Sequence, residues 1–314
     1  MRKIIITLGV IVLLAVIVIG VGQTLMNNDN QAGNGSGMPP EQGSQGEQQA
    51  PPNPEGCPAV EVVAVPGTWE SRSDDDPINP QANPNSLMLQ VTRPLQDQFN
   101  ESDVKVFTVP YTAQFRNINA LHEMSYDDSR NQGFRRMADE LAKTNQECPG
   151  TKFILTGFSQ GAVISGDMAN EIGNDRGPVP AESILGVALI ADGRMEKTRG
   201  ELVGNKEVMG QGAELALQPV NGLVQGVVPG ATMRGARPNG FNKLDDRVLN
   251  FCAKEDLVCD APLGIGDALA RAQELVAANA VHAQYATNDA VVPGQTVPQW
   301  IVGWASDRIR ENIS

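Results

Sequence analysis

The chain has 314 residues, a formal net charge of −13, 41% hydrophobic residues, four cysteines and two histidines. So acidic a balance argues against nucleic acid as a partner and against an electrostatic grip on anionic lipid. No Cys/His spacing suggests a metal site, and there is neither a Walker A loop nor a dinucleotide fingerprint, so no metal or cofactor is expected.

Arg2 and Lys3 precede an apolar stretch over residues 4–21, interrupted only by Thr7, Gly9 and Gly20. Its length is close to the ~20 residues that span a hydrocarbon core, and the flanking cations favour a cytoplasmic N-terminus. A cleaved signal peptide would have a shorter apolar region followed by a small-x-small site. The exit here is Val21-Gly22-Gln23-Thr24-Leu25-Met26, without Ala-x-Ala. Residues 1–26 are therefore read as a membrane-spanning N-terminal anchor, with secretion after signal cleavage as the alternative. Residues 27–56 are Asn, Gln, Gly, Pro and Ser with almost no apolar side chain, too little to order a fold. This stretch is expected to be a disordered linker reaching roughly 30 Å from the membrane.

Residues 57–314 suit one α/β domain by length. Strand-like runs at 60–65, 104–109, 153–156, 184–190 and 248–251 alternate with helical patterns, among them Phe134, Met137, Ala138, Leu141 and Ala142 on one face. The alternation predicts a three-layer sandwich around a mainly parallel sheet. Asp74-Asp75-Asp76 reads as a solvated loop, and the last helices are expected at 265–279 and 299–312.

After the third run comes Gly157-Phe158-Ser159-Gln160-Gly161, which fits the G-x-S-x-G nucleophile elbow. A strand would end there and a helix begin, carried on by Ala162, Val163, Ile164, Met168, Ala169 and Ile172. The turn is so sharp that it thrusts the serine hydroxyl out, and a Cβ two residues either side would clash. The helix N-terminus offers free N–H groups to an oxyanion forming beside Ser159.

A serine esterase also needs a base, and a carboxylate to hold that base in the right tautomer. In hydrolases of this architecture the order is Ser, then Asp or Glu, then His. Of the two histidines only His282 follows the serine; His122 is read as a bland surface or core residue. For the acid, Cys252-Ala253-Lys254-Glu255-Asp256-Leu257-Val258-Cys259 places Asp256 just past a strand, where open α/β sheets build their sites. Glu255, Asp260 and Asp289 remain rivals.

Cys148-Pro149-Gly150-Thr151 leading to the elbow, the Cys252 to Cys259 loop, and His282-Ala283-Gln284-Tyr285 together resemble the cutinase family of α/β-hydrolases in letters, order and spacing. Val65-Pro66-Gly67-Thr68-Trp69-Glu70 resembles that family's Arg-Gly-Ser/Thr-x-Glu turn, which implies Thr68 and Gln160 as oxyanion donors. Pro66 stands where the family usually has arginine, and Phe158 where it commonly has tyrosine. The anchor, together with an insertion at about 193–247, is similar to the membrane-anchored cutinase-like lipid esterases of mycolate-bearing actinobacteria. That resemblance implies phospholipase and thioesterase activity in envelope lipid metabolism.

Four cysteines in an exported domain read as two disulfides. Three connectivities are open; proximity and the resemblance imply Cys252–Cys259, which leaves Cys57–Cys148. The reading is an extracytoplasmic serine esterase acting on lipid-like esters or thioesters, with Ser159, His282 and Asp256 as triad, a membrane-held monomer. An acyltransferase with the same triad, or an anchored lipid- or glycan-binding protein without chemistry, is the alternative. The apolar segment at 215–233 is expected to cover or line the site beside Ser159 and select long acyl chains, or else to lie on the sheet edge away from it.

Overall fold

The computed structural model describes residues 53–117, 120–204, 206–262 and 281–313. The expected anchor, nearly all of the linker, and the helix expected at 265–279 lie outside these residues. Among the described residues no helix is long and apolar enough to cross a membrane. Asn53, the first described residue, accepts the Gly150 N–H on its Oδ1 at 2.6 Å.

Among the described residues six strands form one sheet: β1 (Val60–Val65), β2 (Val104–Thr108), β3 (Lys152–Phe158), β4 (Ile184–Ile190), β5 (Glu201–Leu202) and β6 (Val248–Phe251). Their order is β2-β1-β3-β4-β6-β5, and every pairing is parallel. Such a sheet must be covered on both faces, and the alternation of β1 shows how. Val60, Val62 and Ala64 enter one apolar cluster with Val297, Ile301, Ala305 and Ile309 of the last helix; Val63 and Val65 enter a second with Met137, Leu141, Ile164 and Met168.

The first cover consists of α1 (Leu89–Gln98) and α6 (Val297–Ile313), the second of α2 (Tyr126–Glu147) and α3 (Gln160–Gly173). Ser125 caps α2 by accepting the Asp128 N–H at 3.1 Å, with Asp127 and Asp128 in the first turn where the helix dipole favours them. The architecture is therefore a three-layer α/β sandwich with a parallel central sheet. Within the sheet and its covers two elements have no counterpart in the sequence reading: α1, which carries Pro94 inside it, and the two-residue β5.

The insertion contributes the short helices α4 (Ala213–Leu217) and α5 (Asn221–Val227). Leu217, Val224 and Val228 pack with Phe115, Tyr126, Ala231 and Met233 as a separate small core at the start of α2. The cover expected at 215–233 thus makes its described apolar contacts to α2; the side chains of Leu223 and Val227 lie outside the described residues. A buried ion network ties the same insertion to α3. Asp167 on α3 meets Arg194 at 2.7 Å, Arg237 at 2.9 Å and Arg234 at 2.6 Å, while Arg237 also grips Asp192 at 2.7 and 3.0 Å.

Asp75 and Asp76 do more than face solvent. Their carboxylates accept N–H groups of Ile78, Asn79, Gln81 and Ala82, which folds the loop between β1 and α1 on itself.

Candidate active site

The parallel register aligns the carboxyl ends of four strands, with Val65 beside Gly157, Phe158 beside Ile190, and Ile190 beside Phe251. Thr68, Ser159, Asp192 and Asp256 all follow those ends, which is where the crevice of an open α/β sheet lies.

Ser159 has φ 55° and ψ −119°, a left-handed conformation that a serine adopts only at a cost of order 1–3 kcal/mol. Its neighbours enforce it. A Cβ on Gly157 would overlap the Gly161 carbonyl, and one on Gly161 would overlap the carbonyl of Val65, so strand, turn and helix approach as only glycine allows. The Ser159 N–H donates to Ile190 O at 2.8 Å, which spends that donor on β4 and leaves the side chain as the group presented.

Ser159 Oγ lies 2.9 Å from His282 Nε2, and His282 Nδ1 lies 2.9 and 3.1 Å from Asp256 Oδ2 and Oδ1. The Asp256 carboxyl is fully buried, and the Val258 N–H donates to its Oδ1 at 3.0 Å. Phe158 stacks on the His282 imidazole, with centroids 5.0 Å apart and planes at 23°. A hydroxyl, an imidazole and a buried carboxylate in this chain can move a proton from Ser159 to His282, with the imidazolium held by Asp256.

Glu255 is exposed; Asp260 is buried, but its oxygens accept the N–H groups of Met209, Gly210 and Glu255. Asp289 and His122 are exposed. Cys252 pairs with Cys259 and Cys57 with Cys148, so a disulfide closes the loop that bears Asp256. Among the described residues no group of three or more His, Cys, Asp and Glu is placed to hold a metal ion.

Gln160 opens α3, so its N–H has no carbonyl one turn back within the helix. Its side chain is buried and held on three sides: Nε2 donates to Ser129 Oγ at 3.1 Å, and Oε1 accepts from Thr68 Oγ1 at 3.3 Å and Tyr111 OH at 3.4 Å. The Thr68 loop is fixed through Glu70, which accepts the N–H of Gly67, the N–H of Leu87 and the Ser86 hydroxyl, each at 3.0 Å. Burial raises the Glu70 pKa, while those three donors and the nearby His282 act to lower it.

Sequence reasoning assigned no role to Glu70, Ser129, Tyr111 or Tyr285. Tyr285 is buried, donates its hydroxyl to Asp256 Oδ2 at 2.7 Å and accepts the Ala253 N–H at 2.8 Å. For Glu70 and Tyr285 the signal was their place in the two motifs; for Tyr111 and Ser129 the sequence holds none, because their partners are distant in the chain.

A family model described as Cutinase matches residues 79–290. The chain is 54% identical over 309 residues to the Carboxylesterase Culp6 homolog of Corynebacterium glutamicum, a match covering 98% of this chain and 99% of that protein. Among solved structures, an iodinated complex of acetyl xylan esterase has a similar fold, with TM-score 0.50 and 16% identity over 81% of this chain and 99% of its own. A second acetylxylan esterase structure gives TM-score 0.50 at 15% identity, over the same shares of each chain.

Proposed function

The chain belongs to the cutinase family and is a cutinase-like carboxylesterase, and on that premise we propose that Ser159, His282 and Asp256 carry out the hydrolysis, outside the cytoplasmic membrane, on lipid-like acyl esters or thioesters. The observation that carries the assignment is the 2.9 Å approach of His282 Nε2 to Ser159 Oγ, with Asp256 behind the ring at 2.9 Å. Ser159 Oγ attacks the acyl carbonyl carbon as its proton passes to His282 Nε2. The backbone N–H groups of Thr68 and Gln160 hold the tetrahedral oxyanion. The imidazolium then gives its proton to the departing alkoxide or thiolate, leaving an acyl-Ser159 ester. Water then attacks the acyl carbon as His282 Nε2 takes its proton; the imidazolium returns that proton to Ser159 Oγ as the acyl–oxygen bond breaks, and the carboxylic acid leaves and ionises.

Two disulfides support an oxidising, extracytoplasmic setting. The apolar run at 4–21 supports tethering to the membrane. An alcohol in place of water would make the same acyl-enzyme a transferase, so product analysis belongs in the test. The detergent-solubilised full chain should hydrolyse acyl esters and thioesters of graded length, with Ser159→Ala inactive. A serine-directed phosphonate should add to Ser159, and an adduct mapped to any other residue refutes the nucleophile.

A further inference from the structure

Asp256 has more donors than a triad requires. His282 Nδ1 approaches both of its oxygens, the Val258 N–H holds Oδ1 at 3.0 Å, and the Tyr285 hydroxyl holds Oδ2 at 2.7 Å. A buried tyrosine needs an acceptor for its hydroxyl, and a backbone carbonyl would suffice. Tyr285 instead donates to the carboxylate oxygen nearer His282, 2.9 Å from Nδ1 against 3.1 Å for the other. Its hydroxyl also accepts the Ala253 N–H and lies 3.6 Å from Cys259 Sγ, so it joins both ends of the disulfide-closed loop. The same ring stands edge-on to His282 at 87° and to Phe158 at 64°. One side chain thus touches the carboxylate, the base's ring, and the frame that carries the carboxylate.

We propose that Tyr285 is a positioning residue of the esterase: its hydroxyl fixes the orientation of Asp256 toward His282 and draws charge from Oδ2, which weakens the carboxylate's hold on the imidazolium and sets the acidic limit of activity. This rests on the triad reading above. The hydroxyl stays protonated, because burial and the Asp256 charge both push the phenol well above its ordinary range. Other charges bearing on the pair are Glu70 from the loop after β1 and Asp260 from the acid's own loop. Both are carboxylates with fixed N–H donors, and among the described residues His282 is the one ion-pair partner of Asp256. A neutral donor is therefore what tempers the Asp256 charge.

The direction follows from electrostatics. His282 must be neutral to take the Ser159 proton, so kcat/KM rises with pH as the imidazolium loses its proton. Without the tyrosine hydroxyl the Val258 N–H alone tempers the carboxylate, more of its charge acts on the ring, and more alkaline conditions are needed to neutralise it.

The test uses the full chain, a soluble short-chain ester, and phosphonate titration to count competent sites. Tyr285→Phe should lower kcat per site about tenfold, the kinetic equivalent of one hydrogen bond to a charged group, with KM within about twofold and the acidic limb of kcat/KM at higher pH. Placing 3-fluorotyrosine at 285 makes a stronger donor and should move the limb to lower pH. Opposite shifts in the two proteins support the proposal. A limb unmoved in both, with any loss of kcat matched by loss of folded protein, overturns it. The fluorinated protein keeps the ring and the hydroxyl, so it decides the matter even where Tyr285→Phe folds poorly. A parent chain that takes no phosphonate at Ser159 overturns the triad reading itself, whereas a parent that titrates normally confines any failure to Tyr285.

Discussion

Asp167 and Asp256 are both buried aspartates, one on α3 roughly two turns from Ser159 and the other against the His282 ring. Their partners differ in kind. Asp167 is surrounded by the guanidinium groups of Arg194, Arg234 and Arg237, whereas Asp256 has one phenol, one N–H and one histidine. Burial acts to push Asp167 upward, but the three arginines outweigh it and hold its pKa down at about 2. A carboxylate saturated with permanent cations cannot respond to a proton arriving nearby. One that faces a single titratable ring can, and the difference separates a charge that locks the fold from the charge of the proposed triad.

The sharpest way to break this contrast is to neutralise Asp256. Asp256→Asn, like Ser159→Ala and His282→Ala, should lower turnover by about 10⁴ or more while the fold survives. Near-full ester hydrolysis by folded His282→Ala protein would remove the base from the account. Asp167→Asn should do the reverse. It leaves the buried Arg194 guanidinium without an ion-pair partner, while Arg234 keeps Glu214 and Arg237 keeps Asp192, so a urea titration should show a loss of about 3–5 kcal/mol. Its kcat per phosphonate-titrated site should stay within about twofold of the parent.

The acid behaviour of Asp167 has a definite sign. Its folded pKa lies below the ordinary 3.8, so its stabilisation is present above about pH 4 and is lost as pH falls toward about 2. The window is worth roughly 2 kcal/mol. Asp167→Asn should lack that part of the acid transition.

Much of the catalytic side of this comparison was legible in the sequence, and almost none of the locking side was. The elbow at 157–161 advertises itself because its glycines answer a local backbone demand, and a lone histidine after it leaves little choice of base. The strands at 60–65, 184–190 and 248–251 were legible because buried parallel strands are continuous apolar runs. Helix α1 was hidden because Leu89–Gln98 is polar and carries Pro94, which reads as a breaker. Arg194, Arg234 and Arg237 gave no signal, because charged residues are expected at the surface and their acceptors, Asp167 and Asp192, lie far off in the chain. Tyr285 was marked by its place in the motif at 282–285, but its pairing with Asp256, 29 positions away, was not.

The disulfide of the acid loop sharpens the comparison from the covalent side. Cys252–Cys259 spans 7 positions and Cys57–Cys148 spans 91. Loop-closure entropy assigns the short bridge about 2 kcal/mol and the long one about 5 kcal/mol. Replacing Cys252 and Cys259 with serine should therefore cost modest stability but a larger share of activity, because Asp256 and the Ala253 N–H that meets Tyr285 both lie inside the loop. Thermal melts and kcat measured on the same preparation separate the two effects. An activity loss no greater than the loss of folded protein would mean that the bridge does not position Asp256.

A third buried carboxylate, Glu61 in β1, tests the comparison where a single lysine is the cation at hand. Lys105 of the neighbouring strand lies 3.0 Å away and is shared with Glu140. Burial outweighs the attraction of Lys105, and the Glu61 pKa rises to about 7. Where Asp167 favours folding above its pKa, Glu61 does so below: its contribution is complete below about pH 4.5 and is lost as pH rises through about 7. Glu61→Gln should remove this dependence, so its stability relative to the parent should improve by about 1–3 kcal/mol between pH 5 and pH 8.5 in urea titrations. The variant keeps Glu140 as a partner for Lys105, so the gain on the alkaline side should not be masked by an unpaired lysine. Should the difference between variant and parent stay flat across that range, one shared cation would suffice to hold a buried carboxylate ionised. The three guanidinium groups around Asp167 would then be more than its charge requires.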